Sequence, residues 1–144
     1  LETTSDAVRD MAVKGVTVRQ VEEAVALCLQ GGVKPSVSMM IGLPGSTAEI
    51  DMASVEWAKR QRGVEFTWTI AIPFPGTAMH RWALRQGRWL CGPKDYAAYD
   101  RTFPVFDTPD YPAAERVSVW KLASSSVSTA GTMLYSAMLT GRPD

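Results

Sequence analysis

Two stretches of the chain alternate hydrophobic and polar residues, and helical patterns fill the spaces around them. In 33–43 the odd positions are Val33, Pro35, Val37, Met39, Ile41 and Leu43, and the even ones from Ser36 are Ser36, Ser38, Met40 and Gly42. A period of two predicts a strand, with Pro35 near its start where a missing N–H is tolerated. In 65–72 the even face is Phe66, Trp68, Ile70 and Ile72, and the odd face is Glu65, Thr67, Thr69 and Ala71. Before the first strand, Thr4 or Ser5 caps a short helix through Val8, Met11 and Ala12, which Gly15 stops. Thr17 and Gln20 then form a capping box, with Val16 and Val21 as a hydrophobic staple. That helix carries Val21, Ala24, Val25 and Cys28 as its apolar stripe and ends at Gly31 and Gly32.

After the first strand, Pro44 and Gly45 turn the chain, and Ser46 with Glu49 reads as a second capping box. Its helix runs through Ile50, Ala53 and Trp57 to the cations Lys59, Arg60 and Arg62 before Gly63. After the second strand, Thr77 caps a helix through Met79, Trp82, Ala83 and Gln86 to Gly87. Residues 89–109 read as loop. Residues 112–139 form a long helical pattern through Trp120, Ala123, Val127, Ala130 and Leu134, with Gly131 inside it.

Helix, strand, turn and helix in this order predict an α/β fold of parallel strands with crossover helices. Both strands have one bulky apolar face and one small or polar face. Strands of an open sheet covered on both sides are apolar on both faces, so the pattern favours a partial barrel with bulky residues outward and small ones facing a lumen. The opening residues Leu1, Glu2, Thr3, Thr4 and Ser5 read as a strand end, so the chain is expected to be a fragment of a longer protein.

Charge and composition narrow the function. Fifteen basic and fifteen acidic residues give a net charge of zero. That leaves no basic footprint for a nucleic-acid partner. Cys28 and Cys91 are far apart, and His80 completes no metal-ligand spacing with them, so no metal site is expected and reduced, cytoplasmic thiols are the simpler reading. Residues 122–141 carry no charge, but their many serines and threonines argue against a membrane-spanning helix.

Candidate chemistry concentrates at Met40, Ile41, Gly42, Leu43, Pro44 and Gly45. Parallel α/β folds bind ligands at the carboxyl ends of strands, and Gly42 offers bare backbone to a flat base. An ordinary strand–turn–helix junction reads the same way. Tyr96, Tyr99 and Phe103 either line a substrate mouth or pack a loop, and His80 and Cys91 have no evident activating neighbour.

Three segments in register, E-T-T-S-D-A-V-R-D-M-A-V-K-G-V-T, S-M-M-I-G-L-P-G-S-T and I-A-I-P-F-P-G-T, resemble the later half of a radical S-adenosylmethionine (SAM) enzyme core. The likeness is to the branch that often carries an N-terminal cobalamin-binding domain. It implies the C-terminal part of a partial (β/α)6 TIM-like barrel over residues 1–90, with a post-barrel loop and helical C-terminal segment over 91–144. It also implies SAM as cofactor, a small-molecule substrate, a reductant, and a four-iron–four-sulfur cluster in the complete enzyme, with cobalamin as a further possibility. Glu2 matches the acidic strand end that reaches SAM's polar groups. Met40, Ile41, Gly42 and Leu43 match the strand beside the adenine, and Ile72 and Pro73 match the next strand end that closes its pocket. Thr67 and Thr69 then face the lumen and the substrate, and a side chain at position 42 is expected to stand in that lumen. The family's C-x-x-x-C-x-x-C cluster motif is absent here, so the chain alone is expected to be inactive. Ser46 stands where the family has Glu, and Thr3 and Thr4 where it has Ser and Gly. A non-catalytic α/β module that binds a nucleotide-like ligand or a protein partner is the alternative.

Overall fold

Strands β1 (Ser36–Ile41) and β2 (Glu65–Ile70) pair in parallel, with Ser36 opposite Glu65 and Ile41 opposite Ile70. The computed structural model of the chain describes residues 1–127 apart from Pro93, Asp100 and Thr102. Two further segments extend the ladder. Glu2 makes a parallel bridge to Met39: its N–H donates to Ser38 O at 3.0 Å, and Met40 N–H donates to Glu2 O at 2.8 Å. On the outer edge of β2, Ile70 N–H donates to Arg101 O at 2.8 Å. The backbone order across the sheet is therefore Glu2, β1, β2, Arg101.

The helices are α1 (Asp6–Met11), α2 (Val18–Gln30), α3 (Ala48–Arg60), α4 (Ala78–Gln86) and α5 (Ala113–Ser126). One sheet face buries Val37, Met39, Ile41, Phe66 and Trp68 against Val55 and Ala58 of α3 and Val119 and Ala123 of α5. Trp57 meets Phe66 edge-on at 5.8 Å and donates through Nε1 to Glu22 at 2.8 Å, which ties α2 to this core. Trp120 Nε1 donates to Trp68 O at 3.0 Å. On the other face Ser36, Ser38 and Thr67 are exposed. Bulky-in, small-out alternation thus follows the period of two, with helices on the bulky side. The fold is α/β with parallel strands joined by crossover helices.

Several boundaries differ from expectation. β1 begins at Ser36, because Pro35 has no N–H to donate and Val33 is exposed. β2 ends at Ile70, two residues before Ile72, as the chain nears Pro73. Helix α1 stops at Met11 because Val13 takes a left-handed φ of 55°, ahead of Gly15. The cap of α3 is Thr47, which accepts from Ile50 N–H; Ser46 is turned toward Asp51 instead. The capping box of Thr17 and Gln20 and the cap at Thr77 are as expected. Where 89–109 was expected as loop, β3 (Arg88–Trp89) and β4 (Phe106–Asp107) form a short antiparallel pair, and Tyr96–Ala98 a 3-10 turn. Such brief pairings leave no periodicity to read. Ala130, Gly131, Leu134 and most of 122–141 lie outside the described residues. Among the described residues no helix is long and apolar enough to cross a membrane.

Candidate functional site

A cleft of about 540 Å³ opens beyond the carboxyl ends of β1 and β2. Register builds its centre: Met40 and Thr69 are direct partners on the pleat face opposite the core formed with α3 and α5. Leu43 and Ile72, from the segments that follow the strands, extend the apolar floor. Helix α4 contributes Met79 and Trp82, one turn apart on the same face. Phe74 and Met11 complete the apolar walls, and the rim carries Glu2, Lys14, Arg85 and Arg101. Lys14 Nζ lies 2.8 Å from Glu2 Oε1.

Glu2 (φ 76°), Val13 (φ 55°) and Arg101 (φ 69°) have left-handed backbone conformations without being glycine. Such conformations cost about 1–2 kcal/mol each and tend to gather at sites of function. Glu2 and Arg101 line the cleft from opposite sides of the sheet, and Lys14 follows Val13 directly.

The turn between β1 and α3 is fastened from below. Gly42 N–H donates to Asp51 Oδ2 at 2.8 Å, and Ser46 Oγ donates to Asp51 Oδ1 at 2.5 Å. Asp51 is only 1% exposed, and burial pushes its carboxyl above the usual range, against those hydrogen bonds. Arg116, 2% exposed, reaches in from α5. Its Nη1 donates to Phe106 O at 3.2 Å and its Nη2 to Thr108 Oγ1 at 2.7 Å. Its guanidinium sits over the rings of Phe106 and Tyr111 at 4.6 and 5.2 Å. The buried Tyr111 hydroxyl feels the Asp51 charge without a hydrogen bond of normal geometry, and burial raises its pKa. On the side of the cleft where the chain begins, Ser54 Oγ accepts from Thr4 N–H at 3.0 Å and pairs with Thr4 Oγ1 at 2.9 Å. Arg9, also buried, donates to Thr4 O at 3.0 Å and pairs with Asp6.

No family profile matches the chain. Over 84 residues it is 31% identical to an uncharacterized methyltransferase of Pyrococcus horikoshii. The alignment covers 58% of this chain and 18% of the archaeal protein, so the chain spans less than a fifth of that relative. The chain is similar to a methyltransferase.

The cleft brings together Glu2, Met40, Leu43, Ile72 and Thr69 from among the residues singled out in the sequence. Ile41 points into the core instead, Pro73 is buried, and Thr67 is exposed on the open face outside the cleft lining. Gly42 is buried, and a Cβ there would meet Arg116 Cδ at 2.8 Å rather than open space. The expectation that a side chain at 42 stands in a lumen is thereby corrected: α5 already fills that direction.

Asp51 and Arg116 were missed because charged helical residues ordinarily face water. Their signal was present as a charge inside an apolar stripe, Asp51 with Val55 and Ala58, and Arg116 with Val119 and Ala123. His80 is half-buried against Trp89, with ring centres 5.8 Å apart. Burial and the Asp95 charge raise the Cys91 thiol, the opposite of an activated nucleophile.

Cys28 and Cys91 are both free thiols, and among the described residues no three His, Cys, Asp or Glu side chains gather as metal ligands. An iron–sulfur cluster needs closely spaced thiolates. Anaerobic incubation of the chain with iron and sulfide should therefore leave no stoichiometric cluster in visible and Mössbauer spectra. A full-occupancy cluster on the purified chain would refute this.

Proposed function

We propose that this chain is part of a radical SAM enzyme and that its cleft holds the adenosyl portion of SAM. One observation carries the reading. Glu2, Met40, Leu43 and Ile72, which the family resemblance assigns to SAM, come from separate segments and converge in one cleft at the carboxyl ends of parallel strands. Similarity to a methyltransferase supports the use of SAM. A partial barrel, with α3 and α5 outside and the Met40–Thr69 face inside, is the architecture this reading extends to.

The described residues fit an adenosyl group. A cleft of about 540 Å³ is of small-ligand size. Met40 and Ile72 offer apolar surface to a purine, while Glu2 can accept hydrogen bonds from hydroxyl or ammonium groups. Thr69, directly opposite Met40, presents a hydroxyl to a substrate beside the adenosyl group. Bound SAM supplies an activated carbon group for transfer. The chain's own residues orient it and shield it from water. The same residues do not fit an iron–sulfur cluster: Cys28 lies on α2 and Cys91 beyond β3, with no third thiol in the sequence.

Calorimetric titration of SAM and S-adenosylhomocysteine into the chain tests the reading. Met40 is half-buried, so Met40→Glu should leave the fold intact while placing a carboxylate against the purine face. SAM affinity should fall about tenfold or more, whereas Met40→Leu should retain it. Absence of binding to the unaltered chain, or indifference to Met40→Glu, would remove SAM from this cleft. Adenosine binding as tightly as SAM would favour a nucleotide-binding module without chemistry.

A further inference from the structure

Arg116 is a buried cation whose hydrogen bonding is incomplete. It is 2% exposed, and no ion pair joins it to a carboxylate among the described residues. A guanidinium carries five N–H groups. The bonds to Phe106 O and Thr108 Oγ1 use one from Nη1 and one from Nη2, while Nε–H is buried without an acceptor among the described residues. Burial lowers the pKa of Arg116 more than Tyr111, Asp107 and Asp51 raise it, so its surroundings do not offset its desolvation.

A second cavity, of about 450 Å³, opens beside it. Arg116 and Thr108 line one part of this cavity, Ser46 and Thr47 at the start of α3 another, and Gln86 at the end of α4 a third. Short contacts tie these parts together. A Cβ on Gly42 would lie 2.8 Å from Arg116 Cδ, and Gly42 N–H donates to the same Asp51 carboxylate that holds Ser46. A Cβ on Gly87, next to Gln86, would lie 2.9 Å from Phe106, whose ring centre is 4.6 Å from the Arg116 guanidinium. The start of α3 adds the partial positive charge of its first N–H groups. Asp110, the acidic residue on this cavity, is exposed, and water screens its charge.

We propose that this cavity binds an oxyanion, the carboxylate or phosphate group of a small ligand, with Arg116 as its principal cation. An oxygen of such a group accepts from Nε–H and supplies the countercharge that the chain itself does not bring into contact with Arg116. The site is separate from the adenosyl reading of the cleft and stands whether or not SAM binds there.

Inorganic phosphate, acetate and uncharged acetamide, titrated into the nitrogen-15-labelled full chain and followed by NMR, test the proposal. The Nε–H signal of Arg116 reports on the donor itself and the Trp82 indole on the cavity wall. The Trp57 indole, bonded to Glu22, is a control outside the cavity. Phosphate, acetate or both should shift the Arg116 and Trp82 signals saturably at about millimolar concentration, and bind at least about fivefold more tightly than acetamide. The tighter anion identifies phosphate or carboxylate as the preferred group. Gln86 is exposed on the cavity wall and takes no part in the hydrogen bonds of Arg116, so its substitution should leave the fold intact. Gln86→Glu should weaken anion binding about threefold or more, and Gln86→Lys should strengthen it by a similar factor. Leu84→Glu, which adds the same charge at an exposed position of α4 off the cavity, should change it by less than about twofold. The absence of a saturable Arg116 shift with either anion, equal affinity for acetamide, or equal effects of Gln86→Glu and Leu84→Glu would overturn the proposal. Arg116 would then be a buried cation held by its two hydrogen bonds and its aromatic contacts alone.

Discussion

Gly42→Val should cost about 3–5 kcal/mol of stability, and in a domain stable by only about 5–15 kcal/mol most of the margin would go. Two independent costs add. Gly42 sits at φ 78°, where an L side chain costs about 1–2 kcal/mol and a β-branched one more. Its new Cβ would also lie 2.8 Å from Arg116 Cδ and 3.2 Å from Nε. Arg116 cannot easily withdraw, because Phe106 O and Thr108 Oγ1 hold its two terminal nitrogens and two aromatic rings cover its face. Gly32 separates the two costs, since it has φ 72° and nothing within 4 Å of an added Cβ. Gly32→Ala should show the backbone cost alone, and Gly42→Ala that cost plus the collision. In an Arg116→Ala background the excess at Gly42 should vanish. Urea melts of these variants measure each quantity. Equal penalties for Gly42→Ala and Gly32→Ala would show that Arg116 yields freely and that this contact does not fasten the turn.

The caps of α1, α2 and α4, the faces of β1 and β2 and the order of the longer elements were legible in the sequence because each rests on local chemistry. Thr17 with Gln20 caps α2 through side chains three residues apart, and alternation along 36–41 and 65–70 sorts Met39 and Trp68 from Ser38 and Thr67 without reference to any distant residue. Ser46 was misread because a hydroxyl beside a helix start has two competitors for it. The Asp51 carboxylate, one turn into α3, won over the helix N–H groups, and Thr47 took the cap. Half of the candidate cleft was legible for the same local reason: Met40 and Thr69 follow from parity alone. Arg85, Arg101 and Phe74 were not. Arg101 reaches the cleft through one backbone hydrogen bond to the edge of β2, and no periodicity announces a contact made by a single residue of a loop. Arg116 acts across a long sequence separation on Gly42, a contact fixed only when α5 docks.

Replacement of Asp51 should discriminate sharply by chemistry, with Asp51→Leu costing about 2–5 kcal/mol and Asp51→Asn about 1 kcal/mol or less. Leucine leaves Gly42 N–H and the Ser46 hydroxyl without acceptors in a buried place and removes the countercharge near Arg116. Asparagine keeps an acceptor for Gly42 and offers its NH₂ to Ser46 Oγ. The same pair of variants fixes the pH dependence. Burial raises the native carboxyl above its unfolded value, outweighing the hydrogen bonds from Ser46 and Gly42 and the nearby Arg116 charge. Tyr111, which also faces Asp51, has its own pKa raised and stays neutral through this range. Between the unfolded and native values of Asp51 the folded state therefore binds more protons than the unfolded one, so stability falls as pH rises through that window. Asp107, whose pKa is lowered in the fold, contributes the opposite slope: stability that is present above its unfolded value and lost on acidification. Subtracting the Asp51→Asn curve from that of the unaltered chain cancels Asp107 and isolates Asp51. The difference, from urea melts between about pH 4 and pH 8, should show the unaltered chain losing stability relative to Asp51→Asn as pH rises. Parallel curves, or a difference of opposite sign, would mean that the fold does not raise the Asp51 carboxyl and that its hydrogen bonds from Gly42 and Ser46 offset the cost of burial.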